Sequence, residues 1–356
     1  MKSALVISIA ALVWAAYLPA ESIRVRIYQG PLASPALRHA RLRQQGELLL
    51  VGGLSVRFTN GGADFTTQAG LEIGPGVYTG RFVARLSGGE LRLVNVVEFE
   101  RYLPGVLAGE ISSSWPLEAA KAQAVAARSF ARIQMGQSRS QAYDLDGTPL
   151  SQVFLGTVSN HPLFIEAAAK TRGQVLLWKG QPVIAYFHAN SGGETERPGD
   201  VWPGSDRDYG YLRNVRTPWS EGAPNFRWAT NIAVAELQAI FASQAKGASL
   251  RGVRVTNWSP SDRARAFELD YDDHPRTVDG NTFRLAVGAL RLPSLRVKLS
   301  RQGDQLHFEG RGFGHGVGLC QWSALVMAQR GYGYREILRT FFPETTLSEP
   351  PASRAK

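Results

Sequence analysis

The sequence predicts an α+β fold with a β-rich N-terminal portion over residues 23–93 and a mixed core after it. Residues 24–97 alternate short β-branched or apolar runs with glycine-rich turns such as TNGGAD and LSGGE, a pattern typical of strands and hairpins. From Glu98 the apolar spacing becomes helical, and PLEAAKAQAVAARSFARIQ predicts an Ala-rich helix that begins near Pro116. No repeat of fixed period and no long linker occurs, which favours one α+β unit.

The two ends of the chain have their own signals. Met1-Lys2, an apolar run to Pro19 and the small residue Ala20 predict a signal peptide over residues 1–20. The apolar run is slightly shorter than the roughly 20 residues that span a bilayer, so we expect membrane contact only through an uncleaved signal segment. The protein is therefore expected to be secreted or in the cell envelope. Residues 348–356, SEPPASRAK, predict a disordered tail.

Charge and cysteine content limit the partners and cofactors. The net charge is +10, which favours acidic partners, although a codon bias toward arginine explains it equally well. No nucleic-acid-binding motif is present, and export removes the chain from nucleic acid, so we expect the bacterial cell wall as the polyanion. Cys320 is the only cysteine, which excludes an intrachain disulfide and a four-cysteine metal site. We expect neither a metal nor a cofactor.

The core after the Ala-rich helix reads as alternating strands and helices. Residues 174–188 predict a hairpin around Lys179-Gly180, followed by a loop. Further strands are expected at 251–257, 265–271, 294–300 and 305–309, with a helix near 282–290. A glycine-rich segment then leads into two helices at the end of the core.

Glu110 is the first candidate for chemistry. It precedes the turn Ser-Ser-Ser-Trp-Pro and has apolar neighbours, namely Val106, Leu107, Ile111 and Trp115. Most glutamates are ordinary surface charges, but partial burial raises the pKa of a carboxyl group toward the range of a general acid. In the helix that follows, the spacing puts Lys121 and Arg128 on one side and a stripe of alanines, which we expect to be buried, on another.

Two later stretches are candidates for ligand binding. His188 ends a strand-like run, and Ser191-Gly192-Gly193 after it predicts a flexible turn whose backbone N–H groups are free to point at a ligand. A structural histidine is the alternative. In the stretch 312–318 glycine alternates with other residues, so an extended backbone would put those side chains on one side.

The glycine-alternating stretch lacks the lysine of a phosphate-binding loop. A sugar groove fits it better, with Phe313 or Trp322 as a stacking face and His315 or Gln321 as hydrogen-bonding groups. A tight structural turn is equally compatible with the spacing.

Taken together, three stretches resemble the family of stage II sporulation protein D and the LytB amidase enhancers. They are ERYLPGVLAGEISSSWPLEAAKAQAVAARSFA, then YFHANSGGETERPGDVWPG with YLRNVRTPW, then GRGFGHGVGLCQWSALVMAQRGYGYREIL, within residues 94–347. The resemblance implies an exported protein that acts on peptidoglycan, in one branch as a lytic transglycosylase that cuts glycan strands stripped of peptides. It implies a catalytic role for Glu110 and a groove with the Ala-rich helix along one side, faced by Lys121, Gln123 and Arg128.

The resemblance also has a departure and leaves alternatives. Some relatives carry cysteines after the strand-end histidine, where this chain has Asn190, so no metal is expected there. In the expected mechanism Glu110 acts as general acid and then base, while Lys121 and Arg128 bind muramyl carboxylates. One alternative is a non-catalytic glycan-binding enhancer of an N-acetylmuramoyl-L-alanine amidase. Another is a hydrolase whose second carboxylate is Glu194, Glu196 or Asp200.

Overall fold

The computed structural model describes residues 21–37, 43–45, 48–51, 54–157, 161–204 and 209–349. The expected signal peptide and residues 350–356 of the expected tail lie outside these ranges. The helices and several separate sheets confirm an α+β fold. None of the helices within the described ranges has the length and hydropathy that a bilayer span requires.

The chain divides into two compact units. The first comprises Met1–Gly105 and Ser138–Thr157, and the second Val106–Gln137 and Val158–Lys356. The sequence suggested a boundary near residue 93, whereas the first unit extends to Gly105 and adds a later segment.

The first unit is built on a twisted five-stranded sheet in the order β5-β6-β7-β1-β8. Burial alternates along its strands, with Ile23, Val25 and Phe82 fully enclosed, because successive side chains of a strand point to opposite faces. A smaller sheet has the order β2-β3-β4. The elements are β1 (Ser22–Pro31), β2 (Arg43–Gln45), β3 (Leu48–Val51), β4 (Leu54–Arg57), β5 (Gly62–Ile73), β6 (Gly76–Ser87), β7 (Glu90–Glu98), the start of α1 (Phe99–Glu110) and β8 (Leu145–Asp146).

The second unit contains the remaining elements. They are α2 (Leu117–Gln137), α3 (Pro162–Lys170), β9 (Leu176–Trp178), β10 (Gln181–Pro182), β11 (Phe187–His188), α4 (Pro198–Val201), β12 (Arg227–Ala233), α5 (Val234–Ile240), α6 (Ala242–Ala245), β13 (Leu250–Trp258), β14 (Ala264–Tyr271), β15 (Arg276–Asp279), α7 (Gly280–Val287), β16 (Val297–Gln302), β17 (Gln305–Arg311), β18 (Leu319–Cys320), α8 (Gln321–Gln329), α9 (Tyr334–Phe341) and β19 (Thr345–Leu347).

Helix α2 lies at the centre of the second unit. Ala120 and Ala124 pack against Leu107 and Phe164, while another side of the helix joins the core formed with α8 and α9. Every residue from Ala122 to Ala131 is buried, so α2 is enclosed on almost all sides. Small side chains allow this because they let neighbouring elements approach closely.

Residues 227–311, here called the insert, have a core of their own. Two three-stranded sheets, β12-β17-β16 and β13-β14-β15, enclose it together with α5 and α7. The Phe267 and Phe283 rings stack at 4.0 Å in its interior. Strand β11, which precedes the insert in the chain, pairs in parallel with β18, which follows it, and His188 lies opposite Cys320. The chain therefore leaves β11 through the loop after His188, forms the insert and returns to β18 through the glycine-alternating segment.

Candidate functional site

Glu110 is the last residue of α1. The turn that follows is closed by a hydrogen bond from the Trp115 amide to the Ser112 carbonyl at 3.2 Å, and α2 begins directly after Pro116. The neighbours Leu107 and Ile111 are buried, whereas the Glu110 side chain is half-buried. The carboxyl group is therefore held at the edge of an apolar cluster and can still be reached from solvent.

Gln321 links Glu110 to the glycine-alternating segment. Its Nε2 donates a hydrogen bond to Glu110 Oε2 at 3.3 Å, and only 6% of Gln321 is exposed. Gln321 is the first residue of α8 and follows β18, the strand that pairs with the His188 strand. Gln321 thus connects Glu110 to the end of the glycine-alternating segment and, through the pairing of β18 with β11, to the His188 strand.

Two tryptophans that follow Glu110 and Gln321 in the chain contact each other. The rings of Trp115 and Trp322 are 5.5 Å apart and inclined by 55°. Both are half-buried, and they follow Glu110 and Gln321 closely in the chain. An acid and a pair of half-buried aromatic rings are the kinds of group that sugar sites use.

The glycine-alternating segment is not extended, so its other side chains do not lie on one side as they would in an extended backbone. Gly312, Gly314, Gly316 and Gly318 all have positive φ, from +74° to +104°. A Cβ at Gly312 would lie 2.6 Å from the Asn190 carbonyl oxygen, and one at Gly318 would overlap the Tyr186 carbonyl oxygen. The alternation of glycines thus arises from close packing along residues 186–192, in a series of turns.

His188 and His315 hold this segment in place. His188 Nδ1 donates to the Val317 carbonyl at 3.1 Å, and the Val317 amide donates to His315 Nδ1 at 3.0 Å. Burial is the main reason that the pKa of His188 lies well below 6.5 and that of His315 falls to about 3. Both imidazoles are therefore neutral at physiological pH, and their Nδ1 atoms bind the backbone at Val317.

The Ser191-Gly192 turn does not present free amides, which corrects the expectation from the sequence. The Ser191 amide donates to Cys320 Sγ at 3.3 Å, and the Gly192 amide donates to Asn190 Oδ1 at 2.9 Å. Gly193 in turn donates to the Ser191 hydroxyl at 3.4 Å. Because Ser191 and Gly192 are buried, these amides serve the packing of the loop.

The three α2 residues expected to face a groove are buried or half-buried inside the unit. Arg128 is 1% exposed and donates to the carbonyls of Ala168 and Gln174, each at 3.2 Å. Lys121 pairs with Glu118 at 2.6 Å and lies over the Tyr334 ring. Gln123 is 2% exposed, and its amide has no hydrogen-bond partner among the described residues. In place of the binding role expected from the sequence, Arg128 and Lys121 therefore have packing roles.

A buried polar network beside the site was not found from the sequence. Glu196 is fully buried and accepts hydrogen bonds from Ser259 and Ser261, and Arg263 lies 3.9 Å away. Arg263 donates to the carbonyls of Ser191 at 2.6 Å and Glu194 at 2.7 Å, and burial lowers its pKa to about 10. The stretch SPSDR, which supplies three of these residues, reads in sequence as an ordinary polar loop.

The contacts of this network limit which residue could serve as the second carboxylate of a hydrolase. Glu196 is enclosed and saturated by donors. Asp200 is paired with Arg197 at 2.9 Å and with Arg265 at 3.5 Å, and its side chain is 6% exposed. Glu194 is half-buried. Glu196 is therefore the least suited of the three candidates to act as a second carboxylate.

Two family models match separate parts of the chain. A family model described as stage II sporulation protein matches residues 87–178, which include Glu110 and α2. A model for a domain of unknown function (DUF8618) matches residues 211–318, which include the insert.

Individual relatives extend over most of the chain. An uncharacterised protein of Brachyspira hyodysenteriae is 30% identical over 290 residues, covering 79% of this chain and 75% of that protein. Stage II sporulation protein D of Bacillus subtilis is 30% identical over 274 residues, covering 73% and 77%. The amidase enhancer of Bacillus subtilis is 26% identical over 289 residues, covering 69% of this chain and 40% of the enhancer. This chain therefore belongs to the SpoIID/LytB family, that of stage II sporulation protein D.

Proposed function

We propose that this protein is exported and cleaves the glycan strands of peptidoglycan as a lytic transglycosylase, with Glu110 as general acid and base. The observation that carries the proposal is the hydrogen bond from Gln321 to the half-buried Glu110, while Trp115 and Trp322, which follow these two residues in the chain, pack against each other. Membership of the family and the resemblance of the three motifs supply the substrate, the bond between N-acetylmuramic acid and N-acetylglucosamine in strands stripped of peptides.

A single carboxyl group is sufficient for this reaction. Protonated Glu110 donates its proton to the oxygen that leaves as the glycosidic C–O bond breaks. The resulting carboxylate then takes the proton of the muramyl 6-hydroxyl, whose oxygen bonds to C1, so that a 1,6-anhydro end forms and no water is consumed. Glu110 ends the reaction protonated, as it began.

The surroundings of Glu110 suit a group that alternates between these two forms. The C-terminal end of a helix carries a partial negative charge, which disfavours a carboxylate at the end of α1. The Gln321 amide, which donates to Oε2, has the opposite effect because it stabilises the charged form.

Replacing the acid tests the proposal. In Glu110→Gln we expect the release of glycan fragments to fall by about 10²–10⁴-fold, the range for loss of general acid–base catalysis, with glycan binding retained. Glu166→Gln, at an exposed position on α3, is the matched control and should leave the rate unchanged. Equal rates in wild type and Glu110→Gln would refute the catalytic role.

A second candidate function is stimulation of a cell-wall amidase without catalysis. It is supported by the similarity to a protein named amidase enhancer, although the match covers 40% of that protein. Under this alternative the Glu110→Gln variant stimulates an N-acetylmuramoyl-L-alanine amidase as well as wild type does, and neither protein releases glycan fragments alone.

A further inference from the structure

The insert contains a cleft whose lining includes none of the residues described around Glu110. Its volume is about 1080 Å³, and its walls include Trp228, Trp258, Arg227, Arg296, Lys298 and Arg311. Ligand sites typically enclose about 300–1,000 Å³. The Trp258 cleft, as we call it, is therefore large enough for a chain ligand.

Trp258 is the exposed aromatic surface of this cleft. It is the last residue of β13 and is 46% exposed, the highest value among the described tryptophans. It also lines a neighbouring cavity of about 340 Å³, so its indole borders both spaces. Trp228, in contrast, is fixed: its Nε1 donates to the Gly312 carbonyl at 3.0 Å, and its ring packs on Gly310.

The cleft wall also carries positive charge, of which Arg296 is engaged within the protein. Arg296 donates to the Gly192 carbonyl at 3.0 Å and lies 3.4 Å from Asp262. Lys298 and Arg311 are exposed, and within the described ranges neither has a carboxylate oxygen within the 4.0 Å of an ion pair. Guanidinium and ammonium groups in such positions can bind carboxylates.

The lining also contains hydrogen-bond acceptors. Asp262 and Glu309 are both part of the cleft wall. Carboxylates can accept hydrogen bonds from sugar hydroxyls, but they repel the closely spaced charges of a phosphate polymer. An aromatic face, two available cations and two carboxylates together fit a saccharide that carries occasional carboxylates.

We propose that the Trp258 cleft binds a carboxylate-bearing stretch of the glycan strand, away from the bond that is cut. The identity of the glycan rests on the proposed function. Trp258 stacks on a sugar face, and Lys298 and Arg311 bind muramyl carboxylates, the role that the buried Arg128 does not have. Arg311 precedes Gln321 by ten residues, so their Cα atoms are at most about 36 Å apart. A glycan strand of that length is therefore long enough to span the distance between these two residues.

Binding of long, peptide-free glycan strands to the full chain tests this proposal. The measurement is made in a Glu110→Gln background so that strands are not consumed. We expect Trp258→Ala and Lys298→Glu each to weaken binding by about tenfold, or about 1.4 kcal/mol, and Trp258→Phe to retain most of the affinity. The matched controls Tyr332→Ala and Arg339→Glu lie outside the cleft and should leave the affinity unchanged.

Two further ligands define the chemistry that is recognised. Chitin oligomers lack carboxylates, so Lys298→Glu should not weaken their binding, whereas Trp258→Ala should. Linear polyphosphate that binds wild type as tightly as the glycan does would show a general polyanion patch and overturn the proposal. Losses no larger than those of the controls would also overturn it.

Failure of the two proposals can be told apart. If wild type does not cleave glycan but Trp258→Ala still weakens glycan binding, the catalytic proposal fails and the inference about the Trp258 cleft stands. If cleavage depends on Glu110 but the cleft variants bind normally, only the inference about the cleft fails.

Discussion

At the scale of single residues, Glu110 depends on a partner far along the chain, because Gln321, 211 residues later, donates to its carboxyl group. Glu110, Gln321 and Trp322 were singled out separately, and the structure places them together. Arg128 and Lys121 were placed on one side of α2 by helical spacing, and that spacing holds. What spacing cannot reveal is which other elements cover that side, because the covering helices α3 and α9 come later in the chain.

Arg128 gives the first prediction at this scale. Arg128→Met should lower the free energy of unfolding by about 2–4 kcal/mol, because it leaves the buried carbonyls of Ala168 and Gln174 without a donor. Denaturant unfolding measures the stability, and titration with glycan strands measures the affinity. A stable variant with weakened glycan binding would contradict the packing role.

His315 gives a second, pH-dependent prediction. Its folded pKa of about 3 lies below the ordinary value of 6.5, so between these values the unfolded chain binds more protons than the folded chain. Stability should therefore decrease as the pH falls from about 6.5 toward 3, and His188, whose pKa is also lowered, acts in the same direction.

Melting temperatures across this pH range test the linkage. The His315→Gln variant should show a smaller fall toward acid pH than wild type, whereas His274→Gln, at an exposed position, should follow the wild-type curve. If the melting temperature of His315→Gln fell toward acid pH as steeply as that of wild type, the linkage would be excluded.

At the scale of elements, local patterns predicted α2, the hairpin of β9 and β10, the strands β13, β14, β16 and β17 and the helices α7, α8 and α9. The hairpin around Lys179 and Gly180 is present, with both residues at positive φ as a two-residue turn requires. Strand β12 was not predicted, because RWATNIA lacks a clear alternation of strongly apolar residues and its register is set by β17, far along the chain.

The glycine-alternating segment gives a prediction for this scale. Gly318→Ala should destabilise the fold by several kcal/mol more than Gly331→Ala. Both residues have positive φ, a strain of about 1–2 kcal/mol for alanine, but only at Gly318 would the methyl group meet the backbone, at Tyr186. Equal losses of stability in the two variants would mean that backbone conformation alone selects glycine.

At the scale of the whole molecule, the sequence predicted the α+β class and the family, but not the insert as a body with its own core and cleft. The separate strands of the insert were visible, yet their assembly depends on pairings such as β12 with β17 and on the Phe267–Phe283 stack. The tryptophans that line the cleft are 30 residues apart in sequence, and no local motif links them.

The central claim, that one carboxyl group cleaves glycan without water, is tested most directly by the mass of the new chain ends. Wild-type protein incubated with peptide-free glycan strands should give 1,6-anhydro ends, each lighter by one water than a free reducing end. The Glu110→Gln variant should give almost none. Free reducing ends formed by wild type would contradict this claim and indicate a hydrolase with a second carboxylate.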